Sequence, residues 1–129
     1  MTLFLIFSII IIILFILYKV INPTNYTQKS NNFTNSPLYI DIETARNTPF
    51  NIYIDVRTNF EYRTSGFYAK AINIPFSNLH NIENIIPHKL TSILIYCNSG
   101  ARAHKAAHLL HNMGYKNVKY INKPFTYLL

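Results

Sequence analysis

The sequence predicts an α/β domain of three layers, built on a central, mostly parallel five-stranded sheet and preceded by one transmembrane helix. Three observations carry that expectation. From residue 38 onward, short apolar and β-branched runs alternate with helical patterns, an order that implies parallel pairing with helices on both faces of the sheet. One of these runs, Ile93-Leu94-Ile95-Tyr96, delivers the single cysteine of the chain, Cys97, into a short polar loop that opens a helix. Ahead of the domain, the stretch from Thr2 to Tyr18 carries no charged side chain and is almost wholly Leu, Ile and Phe.

That first stretch, as a helix, spans about 26 Å at about 1.5 Å per residue, slightly short of a bilayer core of about 30 Å, and Val20 and Ile21 complete it. Residues 1–21 therefore read as a transmembrane anchor. A cleaved signal peptide is the rival reading, but the positively charged start and the Ala-x-Ala-like cleavage site are missing. A buried core helix fits least, because the segment is apolar on every side. Lys19 and Lys29 flank the span on its C-terminal side, so the positive-inside rule places the following domain in the cytoplasm. Residues 22–36 are rich in Asn, Thr, Ser and Pro without periodicity and read as a tether. Asn25-Tyr26-Thr27 and Asn32-Phe33-Thr34 match the glycosylation pattern, which matters only if the domain faces a secretory lumen.

The domain, residues 37–129, begins with a short strand, Leu38-Tyr39-Ile40, followed by one or two helical turns from Asp41, an N-cap residue. A second strand runs from Phe50 to Val56 and brings Asp55 and Arg57 to the carboxyl edge of a parallel sheet, where sites form. Thr58 and Glu61 have the spacing of a capping box, predicting a short helix to Arg63. Ala71 to Pro75 is the third strand. Asn78 to Leu90 is helical in part and broken near Pro87. Ile93 to Tyr96 is the fourth strand. Ala103, Ala106, Ala107, Leu110 and Met113 share one face of the main helix, residues 101–113, which Gly114 ends. Asn117 to Ile121 is the fifth strand.

The loop Cys97-Asn98-Ser99-Gly100-Ala101-Arg102 is the chemically suggestive stretch. The first N–H groups of a helix lack intrahelical partners and the helix dipole is positive there, so a thiol held over them ionises more easily. Arg102 adds a full charge, and Gly100 permits the tight turn that points the amides inward. The alternative is a small buried hydrophobe at a strand end, a common fate of free cysteines. Composition narrows the function classes. Half of the 129 residues are apolar and 13% are charged, which excludes a disordered chain. The formal net charge of +7 suits an anionic substrate, a membrane surface or nucleic acid, but no basic stripe with interleaved aromatics is present, so nucleic acid is not an expected partner. A single cysteine excludes an intrachain disulfide and a cysteine-rich zinc site.

Five motifs in order, Ile54-Asp55-Val56-Arg57, Glu61-Tyr62, the run from Gly66 to Pro75, Ile95-Tyr96-Cys97-Asn98-Ser99-Gly100-Ala101-Arg102, and Gly114-Tyr115-Lys116-Asn117-Val118, resemble the rhodanese homology domain. The resemblance implies a sulfurtransferase of the rhodanese (thiosulfate) type. Cys97 as thiolate would take a sulfane sulfur from thiosulfate or a persulfide and hand it to cyanide, a small thiol or a protein acceptor. The amides of Asn98, Ser99, Gly100, Ala101 and Arg102 would cradle the persulfide, with Arg102 steering an anionic donor. The resemblance also suggests that Asp55 lies under the loop and that Arg57 and Glu61 form a supporting ion pair; it implies no cofactor and no metal. Four residues separate Cys97 from Arg102, the size associated with sulfurtransferases, whereas phosphatases of related fold carry one more and a His where Tyr96 stands. The chain departs from the family at Phe67, Lys70 and Ala103, and at Asn122-Lys123-Pro124-Phe125, which replaces a glycine turn and a closing aromatic helix.

Other constellations carry competing readings. His104, His108 and His111 recur at helical spacing and would permit two-point metal ligation, but without a nearby acid a solvated polar face is the better reading. Asp55, Arg57 and Glu61 could serve as acid/base machinery, though a scaffold role fits better. Beside the sulfurtransferase stand a non-catalytic, membrane-tethered binding or regulatory module, in which the loop recognises an anion or partner without turnover, and a phosphatase.

Overall fold

The computed structural model describes residues 2–21 and 33–129, which fall in two separate units, 1–31 and 32–129. The tether residues before 33, with the glycosylation patterns at Asn25 and Asn32, lie outside the described residues. The first unit is helix α1 (Thr2–Ile21). Among the described residues no helix is long and apolar enough to cross a membrane, so the expected transmembrane anchor is not supported.

In the second unit the elements follow as α2 (Ile42–Asn47), β1 (Ile52–Asp55), α3 (Asn59–Thr64), β2 (Ala71–Asn73), a 3₁₀ segment (Phe76–Asn84), β3 (Ile93–Tyr96), α4 (Ala101–Asn112), β4 (Val118–Tyr120) and a closing 3₁₀ turn (Phe125–Leu128). The strands form one sheet in the order β2-β1-β3-β4, parallel throughout. Four strands are present among the described residues instead of the expected five. The missing one, residues 38–40, is reduced to a single bridge between Tyr39 and Tyr120. Pro37 lacks an N–H to extend it on one side, and on the other Asp41 accepts from the Thr44 N–H at 2.9 Å to cap α2, turning the chain away at once.

Strand parity sorts the core into two layers. On β3, Ile93, Ile95 and, one step beyond, Cys97 face a cluster with Ile54, Val56, Leu79, Ile82, Ala103, Ala106, Ala107 and Leu110. Leu94 and Tyr96 face the other way, into a cluster with Ala45, Ile121 and Leu128, against which Tyr53, Tyr68 and Phe125 pack. The small side chains of α4 let that helix approach β3 and β4 closely, while α2 and the closing turn cover the opposite face. The chain visits β1, then β2 on one side and β3 on the other, so the order reverses between β1 and β3, where parallel sheets open a crevice at their carboxyl ends. Cys97 leaves β3 at that crevice.

Candidate functional site

Parity carries Cys97 to the α4 side of the sheet, and the loop then wraps its sulfur. The Gly100 N–H donates to Cys97 Sγ at 3.1 Å and the Ala103 N–H at 3.5 Å. The cysteine is 1% exposed and free of any disulfide. Gly100, which precedes α4, has φ +94°, a left-handed conformation that side-chain-bearing residues rarely adopt. A Cβ placed there would stand 2.7 Å from Asn122 Cα, so the position also needs glycine for space. Asn98 and Ser99, at the loop's outer turn, are exposed, and Ala101 and Arg102 are half-buried.

The supporting charges pair differently from the expected Arg57–Glu61 bridge. Arg57 binds Asp55: its Nε lies 3.0 Å from both carboxylate oxygens and Nη2 2.6 Å from Oδ2, with the pair almost fully buried. The Arg57 backbone N–H also donates to Asp55 Oδ1 at 2.9 Å, so the carboxylate folds back onto its own chain before it can reach any loop. Arg57 sends its remaining Nη2 bond to the Gly66 carbonyl at 2.6 Å, and its guanidinium lies 5.8 Å from the ring centre of Tyr96 and 5.3 Å from that of Phe125. These partners belong to the face opposite Cys97. The Asp55–Arg57 pair therefore braces the turn at Gly66 from the face opposite Cys97.

Glu61 instead meets Arg102. The guanidinium grips both carboxylate oxygens, at 2.7 and 2.8 Å, and Asn98 Nδ2 adds a third contact at 3.3 Å. On its own helix Glu61 completes the capping box: its carboxylate accepts from the Thr58 N–H at 2.9 Å, while Thr58 Oγ1 accepts from the Glu61 N–H at 3.2 Å. The Arg102 fork, then the Thr58 bonds, hold the Glu61 carboxyl down to about 2, and the same carboxylate raises the Arg102 pKa. One side chain thus ties the start of α3 to both ends of the sulfur loop.

Three residues to which the sequence assigned no part in the site contribute to it. Asn73, within the run from Gly66 to Pro75, donates from Nδ2 to the carbonyls of Asp55 at 3.0 Å and Arg57 at 2.9 Å, clamping β1 to β2 at the crevice. Tyr96, buried, accepts the Tyr68 N–H on its hydroxyl at 3.1 Å, and burial raises its pKa. Asn122 supplies the backbone that presses on Gly100; nothing in its local sequence signals this. Phe67 stacks on Tyr62 with ring centres 4.1 Å apart, a packing role for a residue that departs from the family pattern.

The histidines do not form a solvated face throughout. Residues 33–36 fold over α4, so that His108 Nε2 meets Ser36 Oγ at 2.9 Å and His104 sits between the rings of Phe33 and Tyr120. The Tyr120 hydroxyl donates to the Phe33 carbonyl and so accepts from His104 Nδ1 at 2.9 Å. Burial, then the neighbouring His108 and Lys105, lower the His104 pKa. Among the described residues, no group of three or more His, Cys, Asp or Glu side chains could hold a metal.

Residues 40–126 match the family model of the rhodanese-like domain. The chain belongs to the rhodanese-like domain family. Its fold is shared with the human single-domain sulfurtransferase, at a TM-score of 0.59 and 18% identity over 71% of this chain and 95% of that one. A rhodanese-related protein from Thermoplasma volcanium is similar at a TM-score of 0.57 and 26% identity, covering 67% of this chain and 84% of that one. Among curated proteins, the tRNA uridine(34) hydroxylase of Photorhabdus laumondii is 33% identical over 79 residues, 57% of this chain. The match spans only 22% of that hydroxylase, so the likeness is to a part of a longer protein. Within the family frame, the buried sulfur under two converging amides and the bidentate Glu61–Arg102 brace are what this chain's own residues supply.

Proposed function

We propose that the protein is a sulfurtransferase that carries a sulfane sulfur as a persulfide on Cys97. The observation that carries this reading is the convergence of the Gly100 and Ala103 N–H groups on Cys97 Sγ at the start of α4, which offers oriented donors to a negatively charged sulfur. In the first half-reaction the Cys97 thiolate attacks the outer sulfur of a donor and releases sulfite from thiosulfate or a thiolate from a persulfide. In the second, a thiol or cyanide attacks the outer sulfur and returns the Cys97 thiolate. Arg102, held by Glu61, shapes the loop between these steps. Four residues between Cys97 and Arg102 leave a cradle scaled to one added sulfur, which favours sulfur transfer over phosphate hydrolysis. Formation of thiocyanate from cyanide in the presence of a sulfur donor tests this: turnover on the wild type and none on Cys97→Ser is expected, and equal turnover on both would exclude it.

The same reading assigns α1 to a membrane surface. Its apolar residues from Phe4 to Tyr18 are 46–87% exposed, a surface that water does not tolerate uncovered. Sedimentation of the full chain with membranes, lost on deletion of residues 2–18, is the expected result.

A further inference from the structure

The charges around the sulfur loop cancel in pairs. Of the two arginines in the site's motifs, Arg57 is buried against Asp55 and Arg102 is gripped through both of its terminal nitrogens by Glu61. Glu61 also touches Asn98, the residue next to Cys97, so its carboxylate stands at the rim of the loop. The next cations along these two elements, Arg63 on α3 and Lys105 on α4, are solvent-exposed, where water and salt weaken their pull. A doubly negative donor therefore meets an Arg102 whose charge Glu61 already neutralises, and on these two elements the backbone amides are the attraction that is left. The reacting group of a persulfide, R–S–SH, carries one negative charge at most and so depends less on a free arginine at this mouth.

We infer that Glu61 is a specificity-determining residue, whose carboxylate disfavours dianionic donors and leaves low-molecular-weight or protein persulfides as the donor class of Cys97. The inference rests on the persulfide reading of Cys97 and adds the choice of donor. The favoured step balances as Cys97–S⁻ + R–S–SH → Cys97–S–SH + R–S⁻: the new S–S bond forms at Cys97 and the donor S–S bond breaks. Its electron pair leaves on the thiolate, which takes a proton from water. With thiosulfate the same attack releases sulfite, with the added sulfur left as Cys97–S–S⁻. Glu61 acts through electrostatics and loop position, without touching the transferred sulfur.

The test is the rate at which Cys97 gains one sulfur, followed by mass spectrometry of the intact protein, with thiosulfate and with cysteine persulfide as separate donors. Wild type, Glu61→Gln and Cys97→Ser are compared. Gln at this position can still cap α3, because Gln serves at the third helical position of a capping box, so charge is removed with the cap retained. The expected result is faster loading of wild type from the persulfide, and a rise of about tenfold in the thiosulfate-to-persulfide rate ratio for Glu61→Gln. A merely structural Glu61 would slow both donors alike and leave the ratio unchanged, which overturns the inference. Equal loading of wild type from both donors, with no change of ratio in the variant, overturns it too while the sulfurtransferase reading stands. No loading of wild type from either donor overturns both.

Discussion

Cys97 reaches its cradle by strand parity and is kept there by one glycine. Ile93 and Ile95 point to the α4 side, so the residue two steps on must do the same, and the left-handed Gly100 then bends the amides toward it. Gly100→Ala is expected to abolish or greatly slow persulfide formation, since its Cβ would strike Asn122 and its φ of +94° is unfavourable for alanine. The αL conformation alone costs about 1–2 kcal/mol. Loading followed by intact mass, with circular dichroism to confirm the fold, checks this. Cys97, Gly100 and the loop were legible because each belongs to a contiguous motif with its own physical logic. The partner exchange was not: whether Glu61 faces Arg57 or Arg102 depends on which face of the sheet each strand end presents. Parity separates Asp55 and Arg57 from Cys97 and could have been read from the alternation in β1.

At the scale of elements, α3 is a six-residue helix with no buried side chain, so its ends matter more than its packing. The Thr58 cap and the Glu61 carboxylate hold it, and through Arg102 they hold the sulfur loop. Thr58→Ala is expected to lower stability by about 1 kcal/mol in urea unfolding and to slow sulfur loading, because the Glu61 carboxylate loses its Thr58 Oγ1 partner at 2.9 Å. This cap was legible from spacing alone, as was the Asp41 cap of α2. The strand at residues 38–40 was not legible as a single bridge, since its apolar pattern is that of a strand. What shortens it is the competition between Pro37, the Asp41 cap and the edge position, which only the tertiary pairing with Tyr120 decides. The closing 3₁₀ turn likewise depends on a distant contact: the Phe125 ring would lie 3.2 Å from a Cβ at Gly66, on the turn that Arg57 braces.

For the whole molecule, His104, Glu61 and Asp41, whose carboxylate is held down by its bonds to Thr44, shape the pH response. The folded chain holds His104 below its ordinary value through burial, so as the pH falls below about 6.5 the unfolded chain takes up a proton first and stability declines. Glu61 is held at about 2 instead of 4.5, so the contribution of its pair is complete above about pH 4.5 and is lost as the pH falls through about 2. Melting temperatures from pH 7 to 2 are expected to fall in both windows, and the lower fall to be smaller in Glu61→Gln. The alternation of strands and helices made the domain's class legible, and its two-layer core follows from that pattern. The fate of the apolar N-terminal helix depends on what surrounds it, which folding of the chain alone does not decide. The central claim, a persulfide on Cys97, has a direct measurement: digestion and mass spectrometry of the protein after reaction with a sulfane-sulfur donor. One added sulfur on the Cys97 peptide, removed by cyanide, is the predicted result; an unmodified Cys97 peptide, or a sulfur adduct that persists in Cys97→Ser, would contradict it.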